Sequence, residues 1–497
     1  MISSTQLLKH LKNGAAFINA DTQRAEYKSI LTAADIIINE LLLQESPEFY
    51  LDFLQRGVAL HATGKTLADG LGKAPLGPVA IRDDLTLETR RAIVDGEIEK
   101  LYGNMLRLIS VLNENNSDAE RAWLVAAADW ESSLYLHRLE QVPVKTHVSE
   151  MPISEAAMLA YLQQKFPQWK KLKITSYVPL TGGFSKKTIL VDTEDELNGN
   201  QAIVVRAEQG INLFQFDGGD LAKEFHIIRL VRKHGVTVAE PLWMETDTRH
   251  VGFRFMVSRR ALGKTYGTHF GSEETMSKEK SEAVVDAMIA ELVALHNIKI
   301  DPNDADVQNS HLNSWLQYKT VTEATRYNVT DYLPRLVRLT DVPMTPLMQR
   351  AFNWLANNVP QVDEPPVITH RDFGFNNIIF NGSTLSAVLD WETSLLGDPA
   401  ADIAWTHHQN LSPYMSMPEF LVRYKAGSGR DISEFRLAYW RVINCLGGIM
   451  ACLSSMRALE THDAPPINIS AMAYQYVAAF GPQFNMLIEQ AEQTRGK

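Results

Sequence analysis

The chain has 497 residues, 45% hydrophobic and 22% charged, which are the proportions of a globular protein large enough for about two to four structural units. Its 59 acidic against 48 basic side chains give a net charge of −11, which argues against a nucleic-acid binder. No secretory leader pattern opens the sequence and no apolar run reads as membrane-spanning, so a cytoplasmic protein with no membrane partner is expected.

Residues 1–145 read as helix throughout. Positions 24–45 carry apolar residues at helical intervals (Ile30, Leu31, Ala34, Ile37, Ile38, Leu41). A second helix starts at Pro47, a favoured first-turn residue, and a third is expected over 86–113. A fourth runs from Ser117 to about residue 141, with Glu120 placed to complete a capping box. The expectation is an accessory four-helix bundle, carrying no catalytic constellation, through which the chain forms a homodimer or binds a partner protein.

Residues 141–154 contain Pro143 and Pro152 and read as a linker, followed by a helix over 155–166. Short β-branched or alternating runs at 174–179, 187–193 and 202–206 predict three strands. Between the first two lies LTGGFSKKT at 180–188, where Gly182, Gly183, Phe184 and Ser185 form a turn whose backbone N–H groups can approach phosphate oxygens. An amphipathic helix is expected over 220–232, a further strand over 252–258 and a long helix over 273–298. Helices then dominate up to residue 358 and again from 414 onward. Cys445 and Cys452 lie seven residues apart in the last of these, about 10 Å along a helix and too far for a disulfide. The pair His407 and His408 has no cysteines or spaced acids beside it and does not read as a metal site.

The most informative stretch is VITHRDFGFNNIIF at 367–380, followed by Asn381, Gly382 and the run AVLDWE at 387–392. Asn-Gly between apolar runs predicts a hairpin with those two residues in its turn. The hairpin folds Asp390 back toward Asn377, while Asp372 lies five residues upstream of Asn377. Two carboxylates and an amide oxygen converging in this way suit a hard divalent cation and a hydroxyl proton.

The order His370, Asp372, Asn377, hairpin, Asp390 resembles the catalytic segment of the protein-kinase-like superfamily. It is most similar to the aminoglycoside phosphotransferase and choline kinase branch, and within that to the subfamily joined to acyl-CoA dehydrogenases. The segment LGDPAADIAW at 396–405 resembles the G-D-P-x-x-D-L-A element of the branch, and LVALH at 292–296 its L-x-x-L-H helix ending. The resemblance implies an α+β, protein-kinase-like bilobal fold, with a small antiparallel-sheet N-lobe at 146–257 and a mostly helical C-lobe at 258–497, preceded by the all-α bundle of 1–145.

It further implies ATP as phosphate donor with Mg2+, and a small-molecule hydroxyl as acceptor. Asn377 and Asp390 would be the metal ligands, and Asp372 the residue that orients the hydroxyl. Arg206 on the third strand would grip the phosphates, paired with Glu224 on the next helix. Gly182, Gly183, Phe184, Ser185, Met256 and Val257 would surround the nucleotide, the last two through hinge backbone groups. Two departures stand out. Arg371 occupies a position usually held by glycine in this branch, and Arg206 one commonly held by lysine. Acceptors consistent with the resemblance are a hydroxyacyl-CoA or related metabolite, an aminoglycoside or macrolide, and choline-type alcohols. The alternative of another class is a nucleotide-binding pseudokinase or scaffold.

Overall fold

The computed structural model describes residues 47–73, 82, 85, 91–112, 117–139, 153–168, 171–180, 186–196, 199–208, 216–268, 271–272, 276–461 and 480–495. The expected helix over 24–45, most of the linker, and Gly182, Gly183, Phe184 and Ser185 lie outside these residues. In chain order, helices α1 (Pro47–Gly70), α2 (Arg91–Val111), α3 (Asp118–Leu139) and α4 (Glu155–Lys165) precede strands β1 (Lys173–Leu180), β2 (Lys186–Asp195) and β3 (Gly199–Glu208). Helix α5 (Leu221–Lys233) leads to β4 (Pro241–Glu245), β5 (Phe255–Arg259) and α6 (Lys278–His296). Then come α7 (Pro346–Asn357), β6 (Val367–Thr369), β7 (Ile378–Asn381), β8 (Thr384–Val388) and β9 (Leu395–Gly397). Helices α8 (Ala400–Thr406), α9 (Met417–Ser428), α10 (Glu434–Thr461) and α11 (Phe484–Gln493) follow, and shorter strands and helices lie between the numbered elements.

The described residues fall into two compact units, and the first is not the self-contained bundle expected over 1–145. It gathers α1–α3 together with 329–359 and the described residues within 442–493. Buried polar bonds hold these distant segments to α3. The fully buried Glu131 accepts the Leu347 N–H at the start of α7 at 2.5 Å, satisfying a helix-terminal donor. Asn485 of α11 donates to the Val125 carbonyl at 3.1 Å and to Asp129 at 2.5 Å, and accepts from Arg350. Such bonds have no local sequence signature. The α1–α3 core is apolar, built from Tyr50, Phe53, Leu101, Met105 and Leu108 with Trp123 and Trp130.

Two glycines of α1 admit those indoles. A Cβ at Gly57 would fall 2.6 Å from Trp130 Cζ2, and one at Gly64 would fall 2.5 Å from Trp123 Cζ2. Each indole N–H also reaches a carbonyl of α1, Trp130 to Phe53 and Trp123 to Leu60, both at 2.8 Å. At the head of α3, Ser117 caps the Glu120 N–H at 3.1 Å as expected, and Glu120 is further paired with Lys73.

The second unit carries the five-stranded antiparallel sheet, in the order β1-β2-β3-β5-β4. Strand alternation sorts its faces. Ile203, Val205 and Ala207 of β3 pack with Ile189, Val191 and Phe255 against Met158, Tyr161 and Leu162 of α4. Val204 and Arg206 therefore face the other way, into a cleft. The rest of the unit is mainly helical, with β7–β8 as a hairpin and β9 paired antiparallel to β6. This is the α+β, kinase-like bilobal arrangement, with helices α1–α3 preceding it.

Two details of the sequence reading need correction. Register pairs Asn381 with Thr384, so the hairpin turn is Gly382–Ser383 and not Asn381–Gly382. Gly382 supplies the positive φ of +62° at the first central position, the requirement of a type II′ turn. Secondly, Glu434–Ala458 within α10 is long and apolar enough to span a membrane, contrary to the reading of the bare sequence. Of its most apolar window, 61% is buried inside the protein, where Leu437, Val442, Ile443, Leu446 and Ile449 serve as core.

Candidate active site

The open end of the β7–β8 hairpin brings the candidate residues together. The Leu389 N–H donates to the Asn377 carbonyl at 2.8 Å, which sets Asp390 beside Asn377. Asp390 takes a left-handed conformation, φ +65°, a backbone state that aspartate tolerates better than most side chains. Asn377 Nδ2 donates to Asp372 Oδ2 at 2.7 Å and to the Asp372 carbonyl at 3.0 Å, while Trp405 Nε1 donates to Asp372 Oδ1 at 3.0 Å. Loss of hydration, and then the neighbouring Asp390, push the Asp372 carboxyl up to about 8. A carboxyl raised in this way is a proton acceptor suited to neutral pH.

Asp402 fixes the loop that carries Asp372. It accepts the N–H groups of His370 at 2.8 Å and Arg371 at 2.5 Å, and the buried His296 donates to it at 3.0 Å. Tyr424 stands on the far side of His296 at 2.9 Å. Burial works against ionisation of Asp402, and the His296 and His370 contacts outweigh it, holding the carboxyl below its usual range. His370 braces the same loop. Its Nε2–H donates to the Leu389 carbonyl at 2.8 Å and its Nδ1 accepts the Asp372 N–H at 3.2 Å, the tautomer of a neutral ring. Burial keeps its pKa below the ordinary value. Arg371 has φ +68°, which explains why glycine suits this position, and its guanidinium lies 5.7 Å from the Trp440 ring centre. Asp398 is a structural acid, fully buried, paired with Arg436 at 2.7 Å and capping the Ala400 N–H.

From the sheet side, Arg206 reaches two of the acids. Its Nη1 donates to Glu224 at 2.6 Å and its Nη2 to Asp390 at 2.5 Å. Burial pushes the Glu224 carboxyl up, and it disfavours the charge on Asp390 as well. At Asp390 the Arg206 guanidinium more than offsets it, holding the carboxyl below its usual range. Lys186, which the sequence reading passed over, lies 3.4 Å from Glu392, and both side chains are buried. A cleft of about 210 Å³ is lined by Lys186, Thr188, Arg206, Met256, Asn377 and Asp390 among others.

Met256 and Val257 line this cleft. They lie inside β5, paired to β3 on one side and β4 on the other. The Met256 side chain lies on the cleft face beside Phe225, whereas that of Val257 packs on the opposite face with Val205 and Phe255.

The residues fit a magnesium ion. Asn377 uses its amide nitrogen on Asp372 and keeps Oδ1, while Asp390 gives Oδ1 to Arg206 and keeps Oδ2. Among the described residues no cluster of three or more His, Cys, Asp or Glu side chains forms a cage.

The chain belongs to the phosphotransferase enzyme family, whose sequence pattern matches residues 176–439. Acyl-CoA dehydrogenase family member 11 of Mus musculus is 26% identical over 277 residues, which cover 54% of this chain and 32% of the relative. Family member 10 of the same species is 28% identical over 195 residues, covering 37% of this chain and 16% of the relative. The chain thus spans about a third or less of these relatives' length. The crystal structure of a putative aminoglycoside phosphotransferase from Ralstonia eutropha aligns with 69% of this chain and 99% of its own, at 19% identity and a TM-score of 0.49.

Proposed function

We propose that the protein transfers the γ-phosphate of ATP to a hydroxyl of a small molecule, with Mg2+ held at Asn377 and Asp390. The observation that carries the reading is that Arg206, Asn377 and Asp390 line one cleft, with Glu224 bonded to Arg206 and Asp372 to Asn377. A bound magnesium ion would neutralise phosphate charge and align the nucleotide. Arg206, oriented by Glu224, adds positive charge to the phosphate end. Asp372 accepts the acceptor's hydroxyl proton as its oxygen bonds to the γ-phosphorus and the bridging β–γ bond breaks, releasing ADP. Trp405 and Asn377 hold the Asp372 carboxylate in one orientation for that step.

For the acceptor, likeness to acyl-CoA dehydrogenase family members supports a hydroxyacyl thioester over an antibiotic or choline-type alcohol. The test is an ADP-release assay over hydroxyacyl-CoAs, amino alcohols, sugars, aminoglycosides and macrolides. Release stimulated by a hydroxyacyl-CoA and abolished in Asp390→Ala is the expected result. Release with none of these alcohols would leave a nucleotide-binding scaffold as the better reading.

A further inference from the structure

The cleft holds a second buried cation. Lys186 is the first residue of β2 and only 6% exposed. Strand alternation puts it on the same face as Thr188, which stands opposite Arg206 in the β2–β3 register. Lys186, Thr188, Arg206, Asn377 and Asp390 thus line one wall of the cleft and its floor. The Lys186 charge also favours the ionised forms of Glu224 and Asp390.

The two cations are used differently. Arg206 spends both terminal nitrogens on carboxylates, at 2.6 Å and 2.5 Å, in a fork whose geometry is rigid. Lys186 makes one contact with Glu392, at 3.4 Å, well beyond the 2.7–2.9 Å or so of a tight charge-assisted bond. An ammonium has three donors on a swivelling head, and here Glu224 and Asp390 act on it through space while its hydrogen bond to Glu392 is long, so its withdrawal from water is only partly repaid. A more anionic partner within the same cleft would complete the balance.

We propose that Lys186 is a phosphate-binding residue: its ammonium contacts phosphate oxygens of the bound nucleoside triphosphate, and Glu392 tethers it between turnovers. This rests on the nucleotide reading of the cleft. It also accounts for an arginine at position 206, since the point charge that contacts phosphate then comes from β2 while the fork organises the acids.

The experiment compares calorimetric binding of adenosine, ADP and ATP to the wild-type chain, Lys186→Met and Lys186→Arg. Loss of one charge-assisted bond should weaken ATP and ADP binding by about tenfold to a hundredfold in Lys186→Met, leave adenosine unaffected, and be partly restored in Lys186→Arg. If Lys186→Met fails to fold, Lys186→Met combined with Glu392→Gln removes the whole pair and takes its place. Equal weakening of adenosine and ATP would assign Lys186 a packing role and overturn the inference. ATP binding by wild type and Lys186→Met with the same affinity would overturn it alone, whereas no ATP binding by wild type would overturn the nucleotide reading with it.

Discussion

Arg206 donates to Asp390 at 2.5 Å with the same guanidinium that holds Glu224 at 2.6 Å. Removing that group strands the fully buried Glu224 and leaves the part-exposed Asp390 unpaired with it. Arg206→Met should therefore lower stability by about 3–5 kcal/mol, the usual cost of breaking a buried pair from one side. Arg206→Lys keeps the charge but cannot span both carboxylates, and should fall between. Denaturant unfolding of the three proteins checks the order, and a Met variant as stable as wild type would refute it.

Asp372 supplies a test in pH. Its folded pKa of about 8 lies above the unfolded carboxylate value near 3.9, so the folded state binds more protons between those limits. Its contribution is favourable at low pH and is lost as pH rises through 8. Glu224, also raised by burial, acts in the same sense. Without nucleotide, Asp372→Asn should be more stable than wild type at pH 8, with the advantage shrinking toward pH 4. Phosphoryl transfer by the same variant should drop by roughly 10²–10⁴-fold, the span of general-base assistance. Melting curves across pH, paired with transfer rates, measure both.

At Arg371 the ordinary ranking of glycine and alanine should invert. Its left-handed backbone costs a side chain about 1–2 kcal/mol, which glycine avoids. Alanine keeps that strain and loses the contact with Trp440. Arg371→Gly should thus be more stable than Arg371→Ala by about 1 kcal/mol. Unfolding midpoints of the two variants decide it.

Glycines in the first unit should respond in opposite directions. Gly64→Ala drives a methyl into Trp123 and should cost about 1–3 kcal/mol. Gly103→Ala, in α2 with nothing within 4 Å of the new methyl, should gain about 0.5–1 kcal/mol from helix propensity. Thermal unfolding of each single variant is sufficient.

What the sequence made legible was chemistry concentrated in short spans. Asp372, Asn377 and Asp390 are linked by one hairpin, so their convergence follows from local rules even though the turn lies one residue further on than expected. The strands and α5 were accessible through alternation and helical period, and the Arg206–Glu224 pair through the family resemblance. Lys186 was missed because it reads as the polar end of a turn, and only the β2 register reveals that it shares a face with Arg206. The extent of the first unit depended on Glu131 and Asn485 meeting partners hundreds of residues away, which no window of sequence contains.

The Trp123 and Trp130 contacts repeat at the interval of their glycines, since both pairs are seven residues apart. Two such contacts at one spacing act as a key with two teeth, and the helices can engage only when both are in phase. One residue inserted between Gly57 and Gly64 would rotate one notch by about 100° relative to the other. The seven-residue interval is therefore protected against insertion and deletion more strictly than against most substitutions at the positions between its ends.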